Sequence, residues 1–186
     1  MKKIIVLEGP SGVGKDTIIK ELVRLYPETY IKMPSTTSRP MRPGESQGNP
    51  YFFITRKEFE KKIKTGDVFE FTLPARDGDY RGMSKQIIND LLATGKTQIK
   101  DCDWIGIEAL RKEYGDIVLA IYVNVPKEEV ARRIRERGGD EKDIQRRIAD
   151  YDDYKKIRKW CEFSVDNIEL GKCVADVHSI INGESV

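Results

Sequence analysis

The sequence predicts an α/β protein: a parallel sheet flanked by helices, with a smaller lobe of mixed or antiparallel strands inserted into it. Three observations predict this. An apolar run, Ile4-Ile5-Val6-Leu7, leads through a glycine-rich loop into an amphipathic pattern, Ile18-Ile19-x-x-Leu22-Val23. From residue 97 onward, short apolar runs alternate with helical patterns. Between about residues 34 and 82 that rhythm gives way to consecutive short strands, the mark of an inserted lobe.

The first strand ends at Glu8, which breaks the apolar run. The loop Gly9-Pro10-Ser11-Gly12-Val13-Gly14-Lys15-Asp16-Thr17 fits G-x-x-x-x-G-K. Glycines let successive N–H groups turn inward toward a polyphosphate, and the start of the following helix adds partial positive charge. Gly9, Ser11, Gly12, Val13, Gly14, Lys15, Asp16 and Thr17 are therefore candidate phosphate-binding residues, with the Lys15 ammonium set against the β- and γ-phosphates. Asp16 stands where a hydroxyl residue usually binds Mg²⁺. A carboxylate is also a hard-oxygen ligand, so Asp16 is the candidate metal residue; its alternative is an ordinary first-turn acid.

The first helix should end near Tyr26-Pro27, with a short strand at 30–33. Residues 34–50 hold four prolines and two glycines and read as a long irregular loop. That loop carries Arg39 and Arg42, flanked by hydroxyls and followed by Glu45; arginine forks suit phosphate oxygens. A strand is expected at 51–54, a polar helix at 56–65 and an alternating strand at 68–73, with Glu70 between two aromatics. A glycine-bounded turn at 76–82 leads to a helix starting at Met83-Ser84 and closed by Gly95. Thr97–Asp101 is a weak strand before a helix at 104–114. Ile117–Val123 is an unbroken apolar run suited to the interior of a parallel sheet. Helices at 126–138 and 141–159, a strand at 163–165 and a final helix at about 170–181 complete the chain.

Composition excludes other classes. Charged residues make up 34% of the 186, but the formal net charge is only +2, which argues against a dedicated nucleic-acid or membrane surface. No run approaches the ~20 apolar residues of a membrane-spanning helix. Met1-Lys2-Lys3 resembles a signal n-region, but the run that follows reads as a buried strand. Cys102, Cys161 and Cys173 have no paired spacing, and with His178 as the one imidazole they argue against a zinc site and for a reducing cytoplasm. His178 is expected to be structural.

Together the motifs resemble the guanylate kinase family of nucleoside monophosphate kinases over nearly the whole chain. They are the loop Gly9–Thr17, the segment Ser35-Thr36-Thr37-Ser38-Arg39-x-x-Arg42-x-Gly44-Glu45, Tyr51 with Phe53, Glu70, and the glycine turn 78–82. Asp101-x-Asp103-x-x-Gly106 and Arg133-x-x-x-Arg137-Gly138 follow. The resemblance implies a P-loop NTPase core at 1–33 and 84–186 with a helical lid at about 126–150, and a monophosphate-binding lobe at 34–83. It implies ATP and Mg²⁺ on the loop, and small-molecule nucleotides as partners of a monomer or homodimer. Arg39, Arg42 and Tyr51 would grip the acceptor phosphate, with Glu45 in the same segment. Ser35 and Glu70 would read guanine, with Asp101 and Asp103 nearby. Lys15, Arg39 and the lid arginines Arg133, Arg137 and Arg147 would act on the transferring phosphoryl group.

Three departures bear on the substrate. Arg81 stands where the family has a phosphate-binding tyrosine, with Tyr80 one place earlier; Met83 stands where it has a base-contacting hydroxyl, with Ser84 next. Lys15-Asp16 resembles the ribose 1,5-bisphosphate phosphokinases. Two alternatives accompany the reading as an ATP:GMP phosphotransferase. One is a same-fold kinase with a shifted acceptor; the other is a non-catalytic binding module.

Overall fold

The apolar run at the N-terminus forms β1 (Ile4–Glu8), buried along its whole length. The structure, a computed structural model, describes residues 2–72, 78–136, 138 and 141–184, the side chains of Asp143 and Lys155 excepted. Around β1 stand β2 (Tyr30–Lys32), β7 (Thr97–Asp101), β8 (Val118–Asn124) and β9 (Phe163–Asp166), in the order β2-β7-β1-β8-β9. The pairings β1–β8 and β8–β9 are parallel. β8 is interior to the sheet and buried from Val118 to Val123, as a strand covered on both faces must be.

The helices of this unit are α1 (Lys15–Leu25), α4 (Trp104–Tyr114), α5 (Lys127–Glu136), α6 (Glu141–Ala149), α7 (Tyr151–Ile157) and α8 (Leu170–Asn182). One core joins Ile18, Ile19 and Leu22 of α1, Val130 and Ile134 of α5, Ile144 of α6 and Cys173, Val174 and Val177 of α8 to the sheet. Where the sequence suggested one helix over 141–159, the chain breaks at Asp150, whose carbonyl takes the N–H groups of both Asp153 and Tyr154 at 3.2 Å. The break turns Tyr151 into the core, where its hydroxyl donates to the Val125 carbonyl at 2.6 Å. His178 has a structural setting: Tyr26 stacks on its ring at 4.0 Å, and the Tyr30 hydroxyl lies 2.6 Å from Nδ1.

The chain divides into two units, Met1–Tyr30 with Ile99–Val186, and Ile31–Gln98. The second unit has a four-stranded sheet of order β4-β3-β6-β5, from β3 (Ser35–Thr37), β4 (Tyr51–Phe53), β5 (Val68–Thr72) and β6 (Arg81–Ser84). β3 runs parallel to β4 and antiparallel to β6, so the sheet is mixed. Two of these strands differ from the sequence reading. β3 lies inside the stretch taken as irregular, because its prolines flank Ser35–Thr37 rather than interrupt it. β6 replaces the end of the expected turn, and Arg76 and Asp77 of that turn lie outside the described residues.

The unit also holds α2 (Arg56–Lys64), opened by a Thr55–Glu58 capping box, and α3 (Lys85–Ala93), capped by Ser84. The division thus places α3 with the lobe rather than at the start of the second core segment. Asp67 explains this: its carbonyl accepts from Lys85 N and its carboxylate from Gln86 N, both at 2.8 Å, fixing the start of α3 beside β5.

Candidate active site

The loop between β1 and α1 is shaped by what a side chain would strike. A Cβ on Gly12 would lie 2.8 Å from Ile134, and one on Gly14 would lie 2.6 Å from the Asn167 amide; both glycines have φ of 94°. Only glycine permits that backbone in that space. Asn167, 4% exposed, donates from Nδ2 to the Val13 carbonyl at 2.7 Å, and its own N–H bonds the Asn124 carbonyl at 2.9 Å. Its carbonyl accepts from Arg133 Nη2 at 2.8 Å, while Arg133 Nε holds Glu129 at 2.7 Å. Asn167 thereby joins the loop to the ends of two strands and to α5. Asn167→Ala leaves the Val13 carbonyl without that donor and should cost about 1–3 kcal/mol, read as a lowered urea midpoint.

Lys15 folds back across the loop. Its ammonium donates to the Gly9 carbonyl and, at 3.2 Å, to the Pro10 carbonyl. Burial pushes its pKa down, opposed by the charges of Glu8, Asp101, Asp16 and Cys102. Arg147 of α6 donates from Nη1 to Ser11 Oγ at 2.6 Å, which brings that arginine onto the loop. Asp16 and Thr17 lie on the exposed first turn of α1. Asp101 ends β7, and Asp103 caps α4 by accepting from Gly106 N at 3.0 Å. Arg137 lies outside the described residues.

The sequence reading passed over Glu8. It is 1% exposed, and burial pushes its carboxyl up to about 7, against the Gly9 amide and the Lys15 ammonium and with the help of Asp103 and Asp101. A glutamate after an apolar run signals only a strand end; β1–β8 pairing places it opposite Tyr122 inside the sheet.

In the second unit the arginine segment is already organised. Arg39, 7% exposed, donates from Nη2 to Glu45 Oε1 at 2.8 Å and from Nη1 to the Pro40 carbonyl at 2.7 Å. Glu45 Oε2 accepts the Arg42 N–H at 2.7 Å. The Arg39 guanidinium, then the Arg42 amide, holds the Glu45 carboxyl below the usual carboxylate range. The same guanidinium lies 5.6 Å from the Tyr51 ring centre and 5.3 Å from that of Phe53. Gln47 locks the neighbouring β4 by bonding both the N–H and the carbonyl of Phe53, at 2.8 and 2.7 Å.

Glu70 is half-buried on β5, where a bulge after Val68 sets it opposite Met83. Gly82 makes this possible, since a Cβ there would fall 2.5 Å from the Glu70 carbonyl. Ser35 opens β3. Ser84 is 2% exposed and engaged in the scaffold, donating to Asp67 at 2.8 Å and capping α3. The Tyr80 ring stacks on Phe59 at 5.0 Å and carries the Arg56 guanidinium, while Arg81 is exposed and Met83 buried.

Among the described residues, no group of three or more acidic, histidine or cysteine side chains could hold a metal by itself, and no helix is long and apolar enough to cross a membrane. A protein-family model described as guanylate kinase matches residues 1–184. The guanylate kinase of Photorhabdus laumondii subsp. laumondii is 34% identical over 189 residues, covering 97% of this chain and 87% of that protein. That of Symbiobacterium thermophilum is 32% identical over 182 residues, covering 97% and 85%. The crystal structure of guanylate kinase from Anaplasma phagocytophilum superposes with a TM-score of 0.70 at 22% identity, covering 98% of this chain and 85% of that one, and so shares the fold. A motif-bearing loop, an ordered arginine segment and a family match along the chain meet in one conclusion: this chain belongs to the guanylate kinase family.

Proposed function

We propose that the chain transfers the γ-phosphoryl group of ATP to GMP, and to dGMP, giving ADP and a guanosine diphosphate. The observation that carries this is the loop itself, a glycine-walled cradle with the Lys15 ammonium across its mouth and Arg147 on its rim. Its glycine backbone and its donors suit a polyphosphate. Asp16 and Thr17, on the exposed first turn of α1, would offer hard oxygen donors to Mg²⁺, which when bound would supply charge neutralisation to the phosphates.

Phosphoryl transfer asks the protein for alignment and charge neutralisation, and no protein nucleophile is needed. Lys15 and Arg147 would steady the transferring group; Arg133 anchors α5 to the Asn167 carbonyl and keeps the lid helix in register with the loop. In the lobe, Arg39, Arg42 and Tyr51 would hold the acceptor phosphate, whose attacking oxygen is already ionised near neutral pH, so no strong base is required. Glu70 would accept the adjacent N1–H and N2–H₂ donors of guanine, a pair that adenine lacks.

One observation favours a second acceptor chemistry. With the Tyr80 ring stacked on Phe59 and Met83 buried, exposed Arg81 is the phosphate-binding side chain that β6 offers, and a phosphorylated ribose would suit it. A coupled ADP-release assay with ATP and Mg²⁺ tests both, run against GMP, dGMP, AMP, UMP, CMP and ribose 1,5-bisphosphate. Turnover confined to GMP and dGMP is the expected result. Turnover with the ribose bisphosphate alone would transfer the assignment to the second chemistry, and no turnover on any acceptor would remove the kinase reading.

A further inference from the structure

Glu8 is a buried acid with no part in the reading above. Its Oε2 has no hydrogen-bond partner among the described residues, and a carboxylate left so is costly to keep charged. The titratable groups electrostatically coupled to it are Lys15 of α1, Asp101 of β7, Asp103 at the head of α4, Tyr122 of β8, which lies opposite it in the sheet, Tyr154 of α7 and Cys161 before β9. Burial pushes Tyr122 and Cys161 up to about 12 and raises Tyr154, so these three stay neutral near pH 7. Among the described residues named here, the charged groups are the carboxylates of Glu8, Asp101 and Asp103 and the Lys15 ammonium. That ammonium is the one a polyphosphate would draw onto itself. A nucleotide in the loop brings further negative charge beside Glu8 and takes away its counter-charge.

We propose that Glu8 makes nucleotide binding in this chain proton-linked: as a polyphosphate enters the loop, the Glu8 carboxylate takes one proton from solvent and becomes a neutral acid. The inference rests on the loop's being a nucleotide site. Occupation is then strongest where the proton is available, and at alkaline pH the loop resists a nucleotide that arrives without a divalent cation. Burial, the unpartnered oxygen and the acidic neighbours carry it; the position of the Glu8 carboxyl at about 7 places the effect near neutrality.

Titration calorimetry of the full chain with ADP in EDTA, in buffers of different ionisation enthalpy, counts the protons. Wild type should take up about half a proton or more per ADP beyond Glu8→Gln near pH 8. The variant should bind ADP about tenfold more tightly there, and within about twofold of wild type near pH 6. Equal proton counts, or an affinity gap that ignores pH, would overturn the proposal. Absence of ADP binding by both proteins would overturn the nucleotide reading and this inference with it.

Thermal melts supply a readout independent of ligand. The folded-state position of Glu8 lies above its ordinary 4.5, so its stabilising contribution is present below about 4.5 and lost as pH rises through about 7. Glu8→Gln should therefore melt above wild type near pH 8, with the gap closing toward pH 5. A variant that melts lower at every pH would make Glu8 a packing group and sink the idea.

Discussion

Lys15→Ala should lower kcat/KM for ATP by about 10³-fold or more while leaving the chain folded. Lys15 is the ammonium of the loop, and among the described residues its hydrogen-bond partners are the Gly9 and Pro10 carbonyls, while its charge also offsets that of Glu8. A phosphate therefore competes with two neutral acceptors for a charge that burial leaves poorly solvated, which favours the ligand. Truncation also takes from Glu8 the cation that most lowers its proton affinity among the described residues, so Glu8 should then stay protonated to higher pH and limit the damage to stability. Lys15→Arg should not restore activity, since a planar fork does not fit where a point charge lies against the Gly9 carbonyl. Coupled ADP release gives the rate and circular dichroism the fold. A loss of less than tenfold would place Lys15 away from the transferring group.

The elements legible in the sequence were those with a local cause. The loop at 9–15 could be read because its glycines and lysine sit between an apolar run and a helical pattern. β8 could be read because the seven consecutive residues 117–123 are all apolar and leave no polar face for solvent. β3 and β6 were not legible, because their three and four residues are strands only by pairing with each other and with β4 and β5, partners far away in sequence. The break at Asp150 depends on where Tyr151 finds the Val125 carbonyl, which a helical pattern does not encode.

The site divides in the same way. Lys15, Arg39, Arg42 and Glu45 were chosen by motif, and the structure gives the last three a hydrogen-bonded order that spacing alone did not imply. Ser84 is a candidate by its place next to Met83, but its hydroxyl serves Asp67 and α3. Glu8 looks like an ordinary polar residue at the end of a strand, and Asn167 carries no local sign of its bond to the Val13 carbonyl. Both matter through burial beside the loop, which only the folded sheet creates.

Arg39→Ala should raise the KM for GMP by about 10²-fold and change the KM for ATP by less than about twofold. The asymmetry follows from placement: Arg39 belongs to the lobe unit, and its contacts are with Glu45, Pro40, Tyr51 and Phe53. The loss is twofold in kind. The donor proposed for the acceptor phosphate would be gone. Glu45, freed of its guanidinium, becomes a second source of repulsion toward a dianion, held among the described residues by the Arg42 amide. Arg39→Lys keeps the charge but cannot reach Glu45, the Pro40 carbonyl and a phosphate with one planar group, so it should recover only part of the loss. Glu45→Gln separates the two effects. It removes the repulsion but loosens the fork, and if positioning is its role the KM for GMP should still rise, by about tenfold. A Glu45→Gln protein with an unchanged or lower KM would show that Glu45 restrains acceptor binding instead of preparing it. An unchanged KM in Arg39→Ala would remove the whole arginine segment from the acceptor site.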